Sequence, residues 1–351
     1  MTLSNLSELL EHGHCDYCCF DLGRRVQALT AAEFASIAAQ QTPYPYPHQH
    51  QAQFAVVFWP QLQQQPEPFI WLLKLPLDER GLLDHQAQQN FISQVVALLG
   101  QQITATLSEQ QQQQLQQSPY LFSPSTVQQA ALHAQLRQYF KQPPSLHFEA
   151  VESYLHQPQQ QPWQQLGVQG IHDVAVRLEQ LERLQHQLLN HLDSFPVPFL
   201  QALAQALEHP QLPLTMVEPL LTMLPQLPAE RQLLVWRILA SRAEHPAVQQ
   251  ALTQLVQQPL EPTHASDLLV LVAMRLWPAL LPSSSNNGSL LASYIEQLAA
   301  HHHAELRLAL LNELVRLPAI RPHLLALLRR NDNATPLRQL WQQLSGATPC
   351  N

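Results

Sequence analysis

Two short runs near the start of the chain, residues 53–59 and 69–75, are apolar and rich in β-branched and aromatic residues on both of their faces. Side chains alternate across a strand, so Phe54, Val56 and Phe58 point one way while Ala55, Val57 and Trp59 point the other. A half-exposed strand would alternate apolar with polar; these runs do not, and each must lie in a sheet covered on both sides. Residues 60–68 between them suit an antiparallel hairpin with a loose Gln-rich loop. A helix expected at about 82–99 covers one face with Phe91, Val95, Leu98 and Leu99. The other face calls for the C-terminal part of the chain or for a second copy, which admits a homodimer.

The preceding residues add to the same small domain. Residues 4–11 place Leu6, Leu9 and Leu10 on one helical face, residues 16–22 have strand composition, and Gly23-Arg24-Arg25 turns the chain. Thr30-Ala31-Ala32-Glu33 is a capping box for a helix to about Gln40, which Pro43-Tyr44-Pro45-Tyr46-Pro47 ends in an extended segment. The boundary is the Gln run from Gln110 to Gln114. We therefore expect an α+β domain over 1–104, a Gln-rich linker over 105–123 whose Gln run is either linker or exposed helix, and an all-α domain over 124–351. Glutamine is about one residue in seven and stands where Lys and Glu usually cover a surface.

Beyond residue 124 the pattern is helical and punctuated by Pro, which is tolerated in a first turn because its missing N–H would be unbonded there anyway. Helices are expected at about 125–140, 145–156, 170–192, 197–208, 213–224, 228–242, 246–257, 264–277, 289–300, 303–316, 319–330 and 335–344. Ala229-Glu230 through Leu239 can be laid on Ala304-Glu305 through Leu314 and, after a small slip between the helices, Pro246-Ala247 through Leu255 on Pro318-Ala319 through Leu327. The starting offset, 304 − 229 = 75, is two units of the helix-pair length that stacks into α-solenoids. The second domain thus reads as an irregular helical repeat, a HEAT-like solenoid.

Composition excludes several function classes. With 351 residues, 46% hydrophobic and 13% charged, the chain has enough apolar surface for two cores and too few charges for disorder. Its formal charge is −8, without a run of Lys and Arg, which argues against general nucleic-acid binding. No apolar stretch is long enough to span a membrane, the start has no signal-peptide pattern, and four Cys do not make a disulfide framework. A cytoplasmic protein is expected.

Chemistry has few footholds. His12, His14, Cys15, Cys18 and Cys19 are ligand types for zinc, yet a second knuckle is missing and Cys18 and Cys19 face opposite ways on a strand. Cys15 and Cys18 have the spacing of a redox pair, but such a pair opens a helix and this one opens a strand. The plainer reading is small buried residues. Asp78, Glu79, Arg80 and Asp84 are the densest ionisable run, read either as an acidic catalytic site or as a helix cap with ion pairs to Asp21, Arg24 and Arg25. His301, His302 and His303 form a polar corner. Phosphate-loop, dinucleotide, serine-hydrolase and zinc-protease motifs are missing, and no cofactor is implied.

The phrases Phe20-Asp21-Leu22-Gly23-Arg24-Arg25-Val26 and Pro43-Tyr44-Pro45-Tyr46-Pro47 recur in a known pattern. With them go the two apolar runs, the extension Pro76-Leu77-Asp78-Glu79-Arg80-Gly81, and Leu166-Gly167-Val168 with Gly170 and Asp173. In these the chain resembles a gammaproteobacterial family catalogued as domain of unknown function 3549, along its whole length. The resemblance implies a bacterial cytoplasmic protein and carries over no catalytic residue; the long Gln insertions depart from it.

The function expected from all this is a non-enzymatic interaction or scaffold protein with an unidentified protein partner. Its surface is sought at Trp236, Arg237, Trp277, Arg307 and Trp341, with Arg231 and Arg338, since Trp and Arg are favoured anchors. The alternatives are an enzyme using Asp78, Glu79, Arg80 and Asp84, and a metal or thiol-redox protein using the N-terminal His and Cys.

Overall fold

A computed structural model of the chain describes residues 3–61, 67–100, 103–104, 108–158, 162–261, 263–284, 286, 288–330, 337–338, 340 and 342. It divides into two units, Met1–Gln128 and Gln129–Asn351.

The first unit is built on the expected hairpin. Strands β1 (Cys15–Asp21), β2 (Gln27–Leu29), β3 (Gln51–Pro60) and β4 (Phe69–Pro76) form an antiparallel sheet in the order β2-β1-β3-β4. The register sets Cys19 opposite Val56 and Val56 opposite Trp71. Phe54, Val56, Phe58, Trp71, Leu73 and Leu75 therefore share one face, all of them buried. Helices α1 (Leu6–His12), α2 (Ala31–Ala38) and α3 (His85–Leu99) contribute to the same core. Aromatic rings make the junctions: Phe34 of α2 meets Phe54 edge-on at 5.7 Å, and Phe91 of α3 meets Trp71 at 5.5 Å. On the opposite face Phe20, Ala55 and Val57 are also buried, within a single chain.

One polar residue departs from expectation. Gln88, the fourth residue of α3, is fully buried, and its Oε1 accepts from Leu6 N at 3.0 Å while its Nε2 donates to Ala38 O at 3.0 Å. A residue type read as surface thus fastens the start of α1 to the end of α2, because a buried amide is tolerated only when both of its ends are bonded. Part of the Gln-rich stretch, read as a linker or an exposed helix, is helical. Glu109–Gln116 is helix α4, opened by a capping box of Ser108 and Gln111 and packed on α3. Beyond it Lys74 N donates to Tyr120 O and Phe122 N to Leu72 O, extending the sheet past β4.

The second unit is helical throughout its described residues. Its helices are α5 (Thr126–Tyr139), which begins before the division, α6 (Phe148–His156), α7 (Val168–Arg177), α8 (Glu182–His191) and α9 (Val197–Leu207). There follow α10 (Val217–Met223), α11 (Ala229–Ile238), α12 (Pro246–Val256), α13 (Ala265–Met274), α14 (Ser289–Ala300), α15 (Ala304–Arg316) and α16 (Arg321–Leu328). Pro opens α9, α12 and α16 in the first turn. From α7 to α15 each odd-numbered helix packs on the next odd one, while α10, α12 and α14 make a second row. The helices α11 and α15 begin 75 residues apart, at Ala229 and Ala304, whereas α12 opens at Pro246 and α16 only at Arg321, three residues after the Pro318 laid on Pro246 in the sequence correspondence.

The single helix expected at 170–192 is two helices. It breaks at Leu178–Gln180, without Pro or Gly, in a tight turn where Leu178 O accepts from Leu181 N at 3.0 Å and also from Gln185 Nε2 of the next helix at 2.8 Å. The helix expected at 335–344 falls largely outside the described residues, as do Trp341 and Cys350. Gly170 sits where α7 crosses the backbone of His147: a Cβ there would come 2.3 Å from His147 O.

Candidate interaction groove

The residues singled out from sequence are placed as follows. In the acidic run, Asp78 Oδ1 accepts from Arg80 N at 2.9 Å and Leu82 N at 2.8 Å, and Asp78 Oδ2 pairs with the exposed Arg80 at 3.2 Å. Burial pushes the Asp78 carboxyl up, but those bonds from Leu82 and Arg80 outweigh it and hold the group below its ordinary value. Asp84 caps α3, accepting from Ala87 N at 2.7 Å. Asp21 lies in a local cluster of its own. Asp21, fully buried at the end of β1, accepts from the Tyr44 hydroxyl at 2.6 Å and from Gly23, Arg24 and Arg25 N at 3.1–3.4 Å. Burial pushes its carboxyl up to about 6 against those bonds, and Arg24 donates from Nε to Pro47 O at 2.8 Å.

Of the N-terminal ligands, His12 closes α1 and His14 holds a turn at φ 51°. Cys15 and Cys19 lie in the sheet core, and Cys18 is on the opposite face. Burial raises the Cys15 thiol to about 11, with Asp16 adding to it, and the Cys18 thiol to about 12; Cys19 is raised as well. Such thiols are protonated at neutral pH and are poor nucleophiles and poor metal ligands. Among the described residues no group of three or more His, Cys, Asp or Glu is arranged to hold a metal ion.

Among the anchors, Trp236 and Trp277 are buried. Arg307 donates to His301 O, Arg231 donates to Leu192 O and Phe195 O, and Trp341 lies outside the described residues. His301 accepts or donates through Nε2 to Ser266 Oγ at 3.1 Å, at the corner between α14 and α15. Arg237 is different, because it borders a groove.

That groove lies between α11 and α13 and holds about 330 Å³. Its walls are Leu233 and Leu234 from α11 and Val270, Leu271 and Met274 from α13, none of them fully buried. On α13 the lining falls at i, i+3, i+4 and i+7 from Asp267, and on α11 at i, i+1 and i+4 from Leu233, one face of each helix. Arg237 and Arg275 stand at one end of the lining and Asp267 lies two helical turns back from Arg275.

The arginines are held from behind by Glu208, a buried carboxylate on the residue that ends α9. Its Oε2 accepts from Arg237 Nε, and its Oε1 accepts from Arg237 Nη2 at 3.1 Å. Arg275 Nε lies 3.1 Å from the same Oε1, an ion pair off the line of a hydrogen bond. One anion thus orients two cations, whose side chains keep 24% and 23% of their surface in contact with solvent. Behind Glu208, His209 approaches Oε1 at 3.9 Å and stacks on His172 of α7, ring centroids 5.9 Å apart. Burial lowers His172 to about 4 although Asp173 and Glu208 pull it up. Neither Glu208 nor Arg275 was legible as a site residue in the sequence, since they meet across helices with no shared motif; Arg237 was, as an Arg beside a Trp.

A second hollow of about 220 Å³ opens beyond Leu233, bordered by Trp236, Leu260 and Leu268. Among the described residues no helix is long and apolar enough to cross a membrane. A family model described as a protein of unknown function (DUF3549) matches residues 1–345. No curated protein and no solved structure matches the chain.

Proposed function

We propose, for a chain that belongs to the DUF3549 family of proteins of unknown function, a non-enzymatic interaction or scaffold role in a bacterial cytoplasm. In this reading the second unit is an irregular, HEAT-like helical repeat, and the groove between α11 and α13 receives a segment of a partner protein. The observation that carries it is the groove itself, an apolar trough of Leu233, Leu234, Val270, Leu271 and Met274 ending at two arginines fixed by Glu208. Grooves between neighbouring helices that expose aliphatic side chains beside oriented Arg are the usual seat of helix and peptide recognition. The two rows of helices and the 75-residue correspondence support the repeat. The free cysteines fit a reducing compartment.

The test is selection of a displayed library of random linear peptides on the full chain and on its Val270→Arg variant. Val270 is exposed in the centre of the trough, so a charge there blocks it without touching a core. Peptides that enrich on the native chain and lose binding on Val270→Arg, at unchanged melting temperature, support the reading. Failure to enrich any peptide, or equal binding to both proteins, would remove it.

A further inference from the structure

The groove is electrically asymmetric along its length. Arg237 and Arg275 both reach Glu208, so the C-terminal ends of α11 and α13 lie side by side and the positive end of the groove is there. Asp267 lines the same groove from the first turn of α13. It precedes Arg275 by eight positions, about 12 Å at the ~1.5 Å rise of a helix. Between the two ends the lining is aliphatic.

The donors at the positive end are not used up. Arg237 Nη2 and Nε are bonded to Glu208, and Arg275 Nη1 donates to Met274 O at 3.4 Å. Among the described residues nothing accepts from Arg237 Nη1 or from Arg275 Nη2, and the Asp267 carboxylate makes no hydrogen bond or ion pair. Two guanidinium edges and one carboxylate therefore face solvent from opposite ends of one apolar trough, and the buried Glu208 prevents the arginines from turning away to find other partners.

We infer that the occupant of this groove is a bipolar segment: a cation opposite Asp267, aliphatic side chains along the trough, and a carboxylate across Arg237 and Arg275, spanning about two helical turns. This deepens the interaction reading above and rests on it. A segment with like charges at both ends satisfies one end of the groove and is repelled from the other, so the charges set which aliphatic peptides are accepted.

The experiment uses three synthetic helical peptides sharing one aliphatic centre and differing only in the residues two turns apart: Lys with Glu, Lys with Lys, and Glu with Glu. Their binding to the full chain and to Asp267→Lys is followed by fluorescence polarisation. Asp267 is exposed and unbonded, so its replacement leaves the fold intact. The native chain is expected to prefer the Lys/Glu peptide by roughly two- to fivefold over either other, the range of a single solvent-exposed charge contact. Asp267→Lys is expected to exchange that preference for the Glu/Glu peptide. Equal binding of all three peptides, lost on Val270→Arg, overturns the bipolar inference and leaves the groove standing. Binding of none of them, or binding that survives Val270→Arg, overturns both.

Discussion

The Tyr44 hydroxyl donates a 2.6 Å hydrogen bond to Asp21 Oδ1, joining two fully buried residues 23 positions apart. Asp21 ends β1, and Tyr44 belongs to the Pro-rich segment that leads into β3. The bond thus ties the extended segment to the sheet at the point where Gly23, Arg24 and Arg25 turn their amides onto the same carboxylate. A carboxylate so deep in the protein persists only because four donors replace the water it has lost.

Removing one of those donors should be costly in a specific way. Tyr44→Phe keeps the ring and its packing on Phe54 but leaves Asp21 short of its only side-chain donor among these. We expect a loss of about 1.5–3 kcal/mol, as for a hydrogen bond to a buried charged group. A lower urea midpoint with an unchanged slope would be the signature. A variant within experimental error of the native chain would show that the cluster is not a stabilising element.

The Glu208 site offers a second measurement. Glu208→Ala leaves Arg237 and Arg275 beside each other without their shared anion, and a cost of about 2–4 kcal/mol is expected, held below that of a wholly buried pair by the solvent the arginines still see. Circular dichroism during denaturation reads the loss. Peptide binding to the groove should fall with it, since freed guanidinium groups no longer point at the same place. Unchanged stability together with unchanged binding would show that Glu208 orients nothing.

Acidity should act oppositely on the two units. Asp21 titrates near 6 in the folded chain against an ordinary 3.8, so the stability its proton contributes is full below the lower value and is lost as pH rises through about 6. His172 titrates near 4 against an ordinary 6.5, so the stability of its neutral form is full above 6.5 and is lost as pH falls through about 4. Hydrogen exchange of the full chain, corrected for intrinsic rates, should therefore show protection around β1 falling between these limits as pH rises, while protection around α7 and α9 increases. Parallel changes in both regions would contradict the assignment.

Much of the architecture was legible in the residues. The hairpin followed from two runs apolar on both faces, the capping box of Thr30 and Glu33 opens α2 as read, and helices α9, α12 and α14 fall within one or two residues of their expected spans. These features are local: period, cap and proline act within a few residues of themselves, and their signals survive in a linear string. The groove was legible only through Arg237. Its partner Arg275 and the carboxylate between them come from three helices, and no spacing along the chain announces that meeting.

Glutamine marks the division most sharply. In sequence, Gln88, Gln185 and Gln249 are indistinguishable from the Gln that cover the surface, yet each is buried with its amide bonded to backbone or hydroxyl groups of other segments. Whether an amide faces water or fastens two helices depends on which face of its helix turns inward and on what that face meets. The string of residues determined most of the elements and the need for cover on both sides of the sheet, though not the break that divides α7 from α8. Which polar groups went inside, and that Glu208 would draw two arginines to one end of a groove, was decided only when distant segments packed, because a buried polar group is stable only where a partner from elsewhere in the chain arrives to satisfy it.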